Sequence, residues 1–183
     1  INNIPLILNI IIATIPVIIF GFLIKFFGIN LFLQDIKIVA YATIFFSIIL
    51  YLCDKTPVIK KFDKNISNKN AFYIGLAQAI ALIPGTSRSG ITISCARYLG
   101  FSRLDSAKFS FFISIPTLFA ASVLGIGEAL ISFNKDIIIF LLLGFFLSLI
   151  ISLISIKVFL SFVEKYTLNI FVIFRLIIGF ILL

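Results

Sequence analysis

A short polar loop carries most of the side chains in this chain that could do chemistry. Residues 84–90 read Pro-Gly-Thr-Ser-Arg-Ser-Gly and lie between two apolar stretches, residues 71–83 and 91–99. An arginine at membrane depth costs about 2.5 to 3.5 kcal/mol on insertion scales, so Arg88 needs a partner, a cavity or an anionic ligand. Its planar guanidinium can donate to two phosphate oxygens at once. The sequence therefore predicts a phosphate-binding loop.

The residues beside Arg88 supply hydroxyl groups and a helix start. Ser87, Ser89 and Thr92 could orient a diphosphate, and a serine could attack phosphorus if a base removed its proton. Gly90 lies where a second half-helix begins, and the free N–H groups and positive dipole end there favour an anion. Each residue also has a structural alternative, because Ser and Thr in membrane helices bond to backbone carbonyls or neighbouring helices, and Gly forms turns.

Two further polar side chains lie in apolar stretches. Arg175 is in the last of them, and we expect it to pair with Glu128, a carboxylate embedded in another apolar stretch, in preference to a second phosphate contact. Gln78 precedes Pro84 by six residues. It is expected either to reach the same cavity or to bond to a neighbouring helix.

The composition excludes an ordinary soluble domain. Hydrophobic residues make up 62% of the chain and charged residues 12%, and the mean hydropathy of +1.27 indicates an integral membrane protein. The chain contains no His and seven carboxylates, so metal ligands and general bases are scarce. Cys53 and Cys95 have no metal-ligand spacing around them. Because the chain begins at Ile1 and lacks Met, we expect one membrane domain, residues 1–183, truncated at its N-terminus.

Segment lengths predict the architecture. Four or five segments are long and apolar enough to span a bilayer: approximately residues 5–27, 36–53, 107–131, 137–156 and 168–183. Residues 71–83 cannot cross alone, because 13 helical residues rise about 20 Å and Pro84-Gly85 ends that helix. With residues 91–99 they are predicted to form a re-entrant helix-loop-helix hairpin. The fold class is therefore an all-α integral membrane protein with about five spanning helices and one re-entrant hairpin.

Positive charges support a hairpin that enters and leaves on one side. Its two flanks carry the basic residues Lys55, Lys60, Lys61, Lys64 and Lys69 before it, and Arg97, Arg103 and Lys108 after it. By the positive-inside rule both flanks are cytoplasmic, whereas a spanning segment would have separated them. Cytoplasmic loops that face anionic lipid explain the net charge of +8. No nucleic-acid partner is needed to explain it.

The loop and its neighbours resemble a signature of the bacterial undecaprenyl-diphosphatases. The resemblance runs from Gly75 through residues 84–90 to Thr92, continues at residues 99–100, 109–116 and 174–179, and so covers essentially the whole chain. It implies hydrolysis of undecaprenyl diphosphate to undecaprenyl phosphate and inorganic phosphate, which recycles the lipid carrier of peptidoglycan synthesis. It also implies an inverted-repeat fold in the bacterial inner membrane, with a site that opens toward the periplasm or cell exterior.

The same resemblance implies roles for individual residues. It assigns catalysis to Arg88, Ser87 and Ser89. The positions that match its diphosphate-binding motif are Pro84, Gly85, Thr86, Gly90 and Thr92. It further implies a polyisoprenyl diphosphate lipid as partner in the bilayer, allows a homodimer, and implies a divalent cation, Mg²⁺ or Ca²⁺, without a metal ligand from this chain.

One part of the family pattern is not matched. The first family signature, a glutamate-rich segment followed by Ser-Ser and a histidine, is absent from these residues. We expect it in the missing N-terminal portion, where it would supply metal-holding carboxylates and a base. The second signature alone is expected to bind a diphosphate but to hydrolyse it poorly. Two alternatives therefore stay open: a membrane carrier or translocase of lipid phosphate or another anion, and a catalytically incomplete remnant.

Overall fold

The computed structural model is helical throughout most of its length. It describes residues 4–28, 35–60, 66–129 and 135–183, with the side chains of residues 124–129 and 135–139 outside that description. In this part of the chain the helices are α1 (Ile4–Phe26), α2 (Ile36–Asp54), α3 (Asn68–Ile80), α4 (Arg88–Tyr98), α5 (Arg103–Ala129), α6 (Lys135–Lys165) and α7 (Asn169–Ile181). The same ranges contain no strand, only an isolated bridge between Lys60 and Phe101.

Four helices in the described ranges are long and apolar enough to cross a membrane, within the four or five that the sequence predicted. They are Ile4–Phe26, Ile36–Asp54, Arg103–Val123 and Phe140–Lys165. The fifth predicted span, residues 168–183, is helical only over Asn169–Ile181, and its 13 residues rise about 20 Å. That length is short of a hydrocarbon core of about 30 Å. The chain is thus an all-α, multi-pass integral membrane protein.

The predicted hairpin is present as α3 and α4. Ser67 caps α3 by accepting from the backbone N–H of Asn70, and Ser87 caps α4 by accepting from that of Gly90. The sequence placed α3 three residues too late and extended it to Ile83, whereas the helix ends at Ile80 and turns begin there. Close packing on α1 explains the Gly in α3, because a Cβ at Gly75 would lie 2.7 Å from the Cα of Ala13.

Two apolar clusters meet at α4. Residues from α1, α3 and α5 surround Ala96, and residues from α2, α5, α6 and α7 surround Ile93. Both residues are nearly fully buried, at 1% and 3% exposure. Burial on several sides explains why this half-helix lacks the single apolar stripe of a surface helix. The half-helix is therefore held inside the helical assembly.

The outer ends of the hairpin are fixed at the same end of the molecule. At the start of α3, the carbonyl of Ile66 accepts from Asn9 Nδ2 in α1 at 2.6 Å. After α4, the carbonyl of Gly100 accepts from the backbone N–H groups of Ile59 and Lys60, both at 3.0 Å. We call this end, where α2 ends and α5 begins, the base.

Candidate functional site

A buried charge cluster anchors the hairpin at the base. Asp54, at the end of α2 and 3% exposed, accepts from Arg103 Nε at 2.6 Å and from the backbone N–H of Leu168 at 3.2 Å. Arg97 of α4 lies 3.6 Å from the same carboxylate and also donates to backbone carbonyls, including that of Thr56 at 2.5 Å. One carboxylate therefore ties together the ends of α2 and α4 and the starts of α5 and α7.

The hairpin tip, residues 81–87, joins α3 to α4 through turns. Gly85 and Ser87 both have a left-handed backbone, with φ of +88° and 64°. Ser87 is the one non-glycine residue with positive φ in the described ranges, a conformation that costs on the order of 1–3 kcal/mol. Irregular backbone at membrane depth must find polar partners inside the protein. At this tip they come from α2 and α7.

The tip rests on the middle of α2. Thr43 Oγ1 lies 3.2 Å from the Gly85 carbonyl oxygen, and a Cβ at Gly85 would meet the backbone of Val39. Thr43 precedes Asp54 by 11 residues, or about 16 Å along the helix. The tip therefore lies deep in the membrane while both hairpin ends lie at the base. This geometry is a re-entrant hairpin and confirms the prediction made from segment length and charge.

Arg175 holds the tip from α7. Its Nη2 donates to the carbonyl oxygens of Gly85 at 2.9 Å and Thr86 at 3.0 Å, and its Nε donates to Ser47 Oγ of α2 at 2.9 Å. The sequence did not predict these three acceptors for Arg175. The expected partner, Glu128, has a side chain outside the described residues. Arg175 thus supports the hairpin tip from α7, and its pairing with Glu128 stays a prediction.

The remaining nitrogen of Arg175, Nη1, faces the start of α4. A Cβ built at Gly90 would lie 3.7 Å from Nη1 and 3.1 Å from Ser87 Oγ. The hydrogen bonds of this guanidinium within the described residues are made by Nε and Nη2. Nη1 and the Ser87 hydroxyl therefore flank the first turn of α4, where unpaired backbone N–H groups also lie.

The Arg88 side chain points away from Arg175 Nη1 and toward α5. Its Nη2 donates to Thr117 Oγ1 of α5, and its Nη1 lies 3.5 Å from the Ser114 carbonyl oxygen. The Arg88 side chain is not among those that line the cavity described below. Pro116 lies inside α5 beside these contacts and removes one backbone donor there.

Three other polar side chains near the tip are buried. Thr92 is 1% exposed, and its hydroxyl lies 2.9 Å from the Arg88 carbonyl and 2.7 Å from Ser110 Oγ of α5, so it joins α4 to α5 as its structural alternative anticipated. Thr86 is also 1% exposed, and its hydroxyl has no partner among the described residues. The same holds for both amide atoms of the fully buried Gln78.

A cavity of about 110 Å³ opens beside the tip. Its polar wall comes from the tip, the first turn of α4 and α7: Ser87, Ser89, Gly90 and Arg175. Its apolar wall comes from α2, α4, α6 and α7: Leu50, Ile93, Phe159, Leu168, Phe171 and Phe174. One end can therefore accept an anion and the rest a hydrocarbon. Of the sequence-predicted site residues, the structure brings Ser87, Ser89 and Gly90 to this cavity.

Aromatic rings continue the apolar wall. The Phe159 ring lies 5.4 Å from that of Phe171 and 5.6 Å from that of Phe111, and Phe162 lies 5.6 Å from Phe171, measured between centroids. These spacings are typical of aromatic packing. Phe174, at the rim, is 62% exposed. The cavity is therefore continuous with the apolar exterior of the helices.

The donors at the tip do not form a divalent cation site. No cluster of three or more His, Cys, Asp or Glu occurs in the described part of the chain. Hard cations such as Mg²⁺ and Ca²⁺ need several oxygen ligands, usually including carboxylates. Asp54 is engaged at the base by two arginines. The described residues thus offer no ligand set for a divalent cation, and a cation held by ligands outside this chain stays a prediction.

These observations define a class: a multi-pass α-helical membrane protein with a re-entrant hairpin whose tip borders an amphipathic cavity deep in the bilayer. The chain matches the family described as bacitracin resistance protein BacA over residues 2–181, and it belongs to that family. The resemblance stated from the polar loop is confirmed.

Two relatives carry a functional name. The chain is 44% identical over 183 residues to the protein of Pelagibacter ubique (strain HTCC1062) named undecaprenyl-diphosphatase. The aligned region covers 99% of this chain and 71% of that protein. It is 42% identical over 174 residues to the protein of the same name from Aliivibrio salmonicida (strain LFI1238). That aligned region covers 93% of this chain and 63% of the relative. The chain therefore spans about two thirds of the length of these relatives.

Sequence reasoning missed the residues on other helices that support the tip. Thr43 of α2 contacts a tip carbonyl, Ser47 of α2 accepts from Arg175, and Thr117 of α5 accepts from Arg88. Each is a hydroxyl in an apolar span, a pattern that usually indicates a bond to the preceding helical turn. Such bonds are present as well, from Thr43 to Val39 and from Ser47 to Thr43. The one available signal was that two hydroxyls lie four residues apart.

Proposed function

We propose that this chain hydrolyses undecaprenyl diphosphate to undecaprenyl phosphate and inorganic phosphate, as its relatives are named for doing. The observation that carries the proposal is the amphipathic cavity, where hydroxyls, a helix start and a guanidinium lie at one end and phenylalanines at the other. A lipid diphosphate has the same division into an anionic head and a hydrocarbon tail. A soluble phosphate ester would need no such apolar wall.

The polar end suits the diphosphate head. Ser89 and Gly90 belong to the first turn of α4, where N–H groups and the helix dipole favour an anion. The hydroxyls of Ser87 and Ser89 and Nη1 of Arg175 add further donors. Arg88 is part of the proposal as well, because its contacts to α5 are one hydroxyl and one carbonyl at 3.5 Å. Both acceptors are neutral, and an anionic phosphate would be a stronger acceptor for the guanidinium.

The reaction needs charge neutralisation and positioning more than covalent chemistry. Attack on the terminal phosphorus by a water or serine oxygen breaks the anhydride bond and leaves the lipid as monophosphate. A serine route would need a second step, in which water releases the phosphate. The donors at the tip would stabilise the charge that develops on the phosphoryl oxygens. A divalent cation would neutralise the diphosphate further, but the described residues assign it no ligands.

The apolar end suits the tail. Phe159 and Phe171 would contact the first isoprene units, and exposed Phe174 marks where a long chain would continue into lipid. The substrate would then stay in the bilayer while its head reaches the hairpin tip. We place the protein in the bacterial inner membrane, with the site open toward the periplasm; single cysteines near the tip tested with membrane-impermeant reagents would decide the side. A homodimer stays a prediction.

Phosphate release from undecaprenyl diphosphate tests the proposal. The protein, purified in detergent with Mg²⁺ or Ca²⁺ added, should release inorganic phosphate. Removing one donor to a developing oxyanion costs about 10²-fold or more in other enzymes, so Ser89→Ala and Arg88→Ala should each lower kcat/KM by about that factor. Ser152→Ala, on an exposed face of α6, is the matched control and should match wild type. Absence of phosphate release by wild type would contradict the proposal.

The carrier alternative makes a different prediction for the same protein. In vesicles, a translocase would move a labelled lipid phosphate between leaflets without releasing inorganic phosphate. Movement without release would replace the phosphatase proposal with the carrier. Neither movement nor release would favour the incomplete remnant.

A further inference from the structure

Arg175 makes contacts that a simple anion ligand would not need. Its Nη2 lies within 3.0 Å of two carbonyl oxygens of the hairpin tip, those of Gly85 and Thr86, and its Nε contacts Ser47 Oγ. Two of its three nitrogens are thereby committed to the protein. An arginine retained only to bind substrate would more often present two parallel nitrogens to it, as in bidentate phosphate recognition.

We propose that Arg175 is a positioning residue that fixes the hairpin tip and directs one nitrogen, Nη1, into the cavity, with Ser47 setting the orientation of the guanidinium. We call the hydrogen bonds from Arg175 to the tip carbonyls and to Ser47 the strut. The strut depends only on the contacts described above, whereas its effect on catalysis rests on the proposed function.

The tip needs such a strut for two reasons. The Gly85 and Thr86 carbonyls lie deep in the membrane, where an unsatisfied group costs several kcal/mol, and their partners among the described residues come from α2 and α7. Ser87 also holds a strained φ of 64°, which persists only when the surroundings over-determine it. Arg175 satisfies the two carbonyls that immediately precede Ser87. Fixing Gly85 and Thr86 therefore fixes the backbone that aims the Ser87 hydroxyl and the first turn of α4.

The position of Nη1 connects the strut with the anion. It lies beside Gly90 and Ser87, in the wall of the cavity. Since Nε and Nη2 are held, Nη1 cannot move without breaking bonds to the tip. A bound anion would thus be gripped by a donor already oriented, which saves reorganisation when charge develops. Arg88, held by α5 through Thr117, is free of any contact to the tip carbonyls and cannot replace this strut.

Hydrogen exchange tests the strut without any substrate. In Arg175→Lys and Arg175→Ala, amides of residues 84–90 should exchange at least about tenfold faster than in wild type, because hydrogen bonds from a charged donor are lost. Amides at the base, such as that of Gly100, should keep their wild-type rates. Phe180→Ala, in the same helix at a residue that is 66% exposed, is the matched control. Unchanged exchange at the tip in both Arg175 variants would overturn the proposal.

Kinetics test the direction of Nη1. Arg175→Ala should lower kcat by about 10²-fold or more with a smaller change in KM, since the interaction matters most in the transition state. Added guanidinium ion should restore part of that activity, and Arg175→Lys should retain more than Arg175→Ala. A variant that keeps wild-type kcat, or a loss that guanidinium leaves unchanged, would contradict the direct role of Nη1.

Ser47→Ala separates orientation from folding. Ser47 does not line the cavity, and the change removes one oxygen that is 0% exposed. We expect a several-fold loss of kcat in a protein that unfolds at nearly the wild-type temperature. Ser106→Ala is the matched control, because Ser106 is 1% exposed, bonds to the preceding turn in the same way and lies near the base. Equal activity of the two variants would refute the part assigned to Ser47.

The outcomes distinguish this inference from the proposed function. If wild type releases no phosphate while exchange at the tip still depends on Arg175, the proposed function fails and the strut stands. If wild type is active but neither exchange nor kcat responds to Arg175, the strut fails and the proposed function stands.

Discussion

Asp54 and Arg103 are joined across the base of the hairpin, with Asp54 Oδ1 2.6 Å from Arg103 Nε. The same carboxylate also faces Arg97, which is 3% exposed. Exposed charges usually tolerate substitution, but Asp54 is itself buried and compensates the charge of buried Arg97. The hairpin therefore depends on this residue although it does not line the cavity.

Asp54→Asn should destabilise the protein strongly. Removing one partner of a buried ion pair leaves an uncompensated charge and typically costs about 3–5 kcal/mol. Denaturant unfolding in detergent micelles would measure the loss. Asp35→Asn is the control, because Asp35 is exposed and only caps α2, and Asn caps a helix about as well as Asp, so the change should cost less than about 1 kcal/mol. Equal stability of the two variants would show that Asp54 is not an anchor.

Gly85→Ala should disrupt the hairpin tip. A side chain there would adopt a left-handed φ of +88° and lie 2.8 Å from Thr43 Oγ1, against the backbone of α2. We expect loss of most phosphatase activity and faster hydrogen exchange in residues 84–90. Gly144→Ala is the control, because a Cβ at Gly144 meets no atom within 4 Å. Full activity of Gly85→Ala would mean that the tip does not rest on α2 as described.

Gly90→Ala should alter the site while the fold persists. The new Cβ would lie 3.1 Å from Ser87 Oγ and 3.7 Å from Arg175 Nη1, so the hydroxyl must shift by a few tenths of an ångström. Misplacement by about 1 Å can cost 10²-fold in rate, and we expect a loss of about tenfold in kcat. Gly21→Ala, with its nearest atom at 4.0 Å, should retain wild-type kinetics. A large drop in thermal stability would instead assign Gly90 to folding.

Phe171→Ala should weaken binding of the lipid tail. The ring packs on both Phe159 and Phe162 and lines the apolar wall. Aromatic contacts of this kind contribute about 0.5–1.5 kcal/mol each beyond area burial, so KM for undecaprenyl diphosphate should rise by about tenfold. Inhibition by inorganic pyrophosphate, which has no tail, should stay unchanged. Phe180→Ala should leave both constants at wild-type values, and a weakened pyrophosphate inhibition in Phe171→Ala would contradict a tail-specific role.

Local patterns predicted the hairpin because length, turn residues and flanking charge act along the chain. Pro84-Gly85 ends a helix wherever it occurs, and Ser87 caps the next one through its own side chain. The last apolar segment was predicted too long, because hydropathy continues to Leu183 while helical backbone ends at Ile181. Composition alone does not mark where an apolar helix stops.

The sequence by itself determined the membrane class, the re-entrant hairpin and the polar loop that marks the site, since each follows from the cost of placing charges and unpaired backbone in lipid. Only the tertiary structure decided which arginine borders the cavity. Arg88 and Arg175 are equally costly in the sequence, but partners 26 to 128 residues away direct one toward α5 and the other toward the tip. Side-chain direction depends on acceptors brought together by packing, and no local pattern encodes their position.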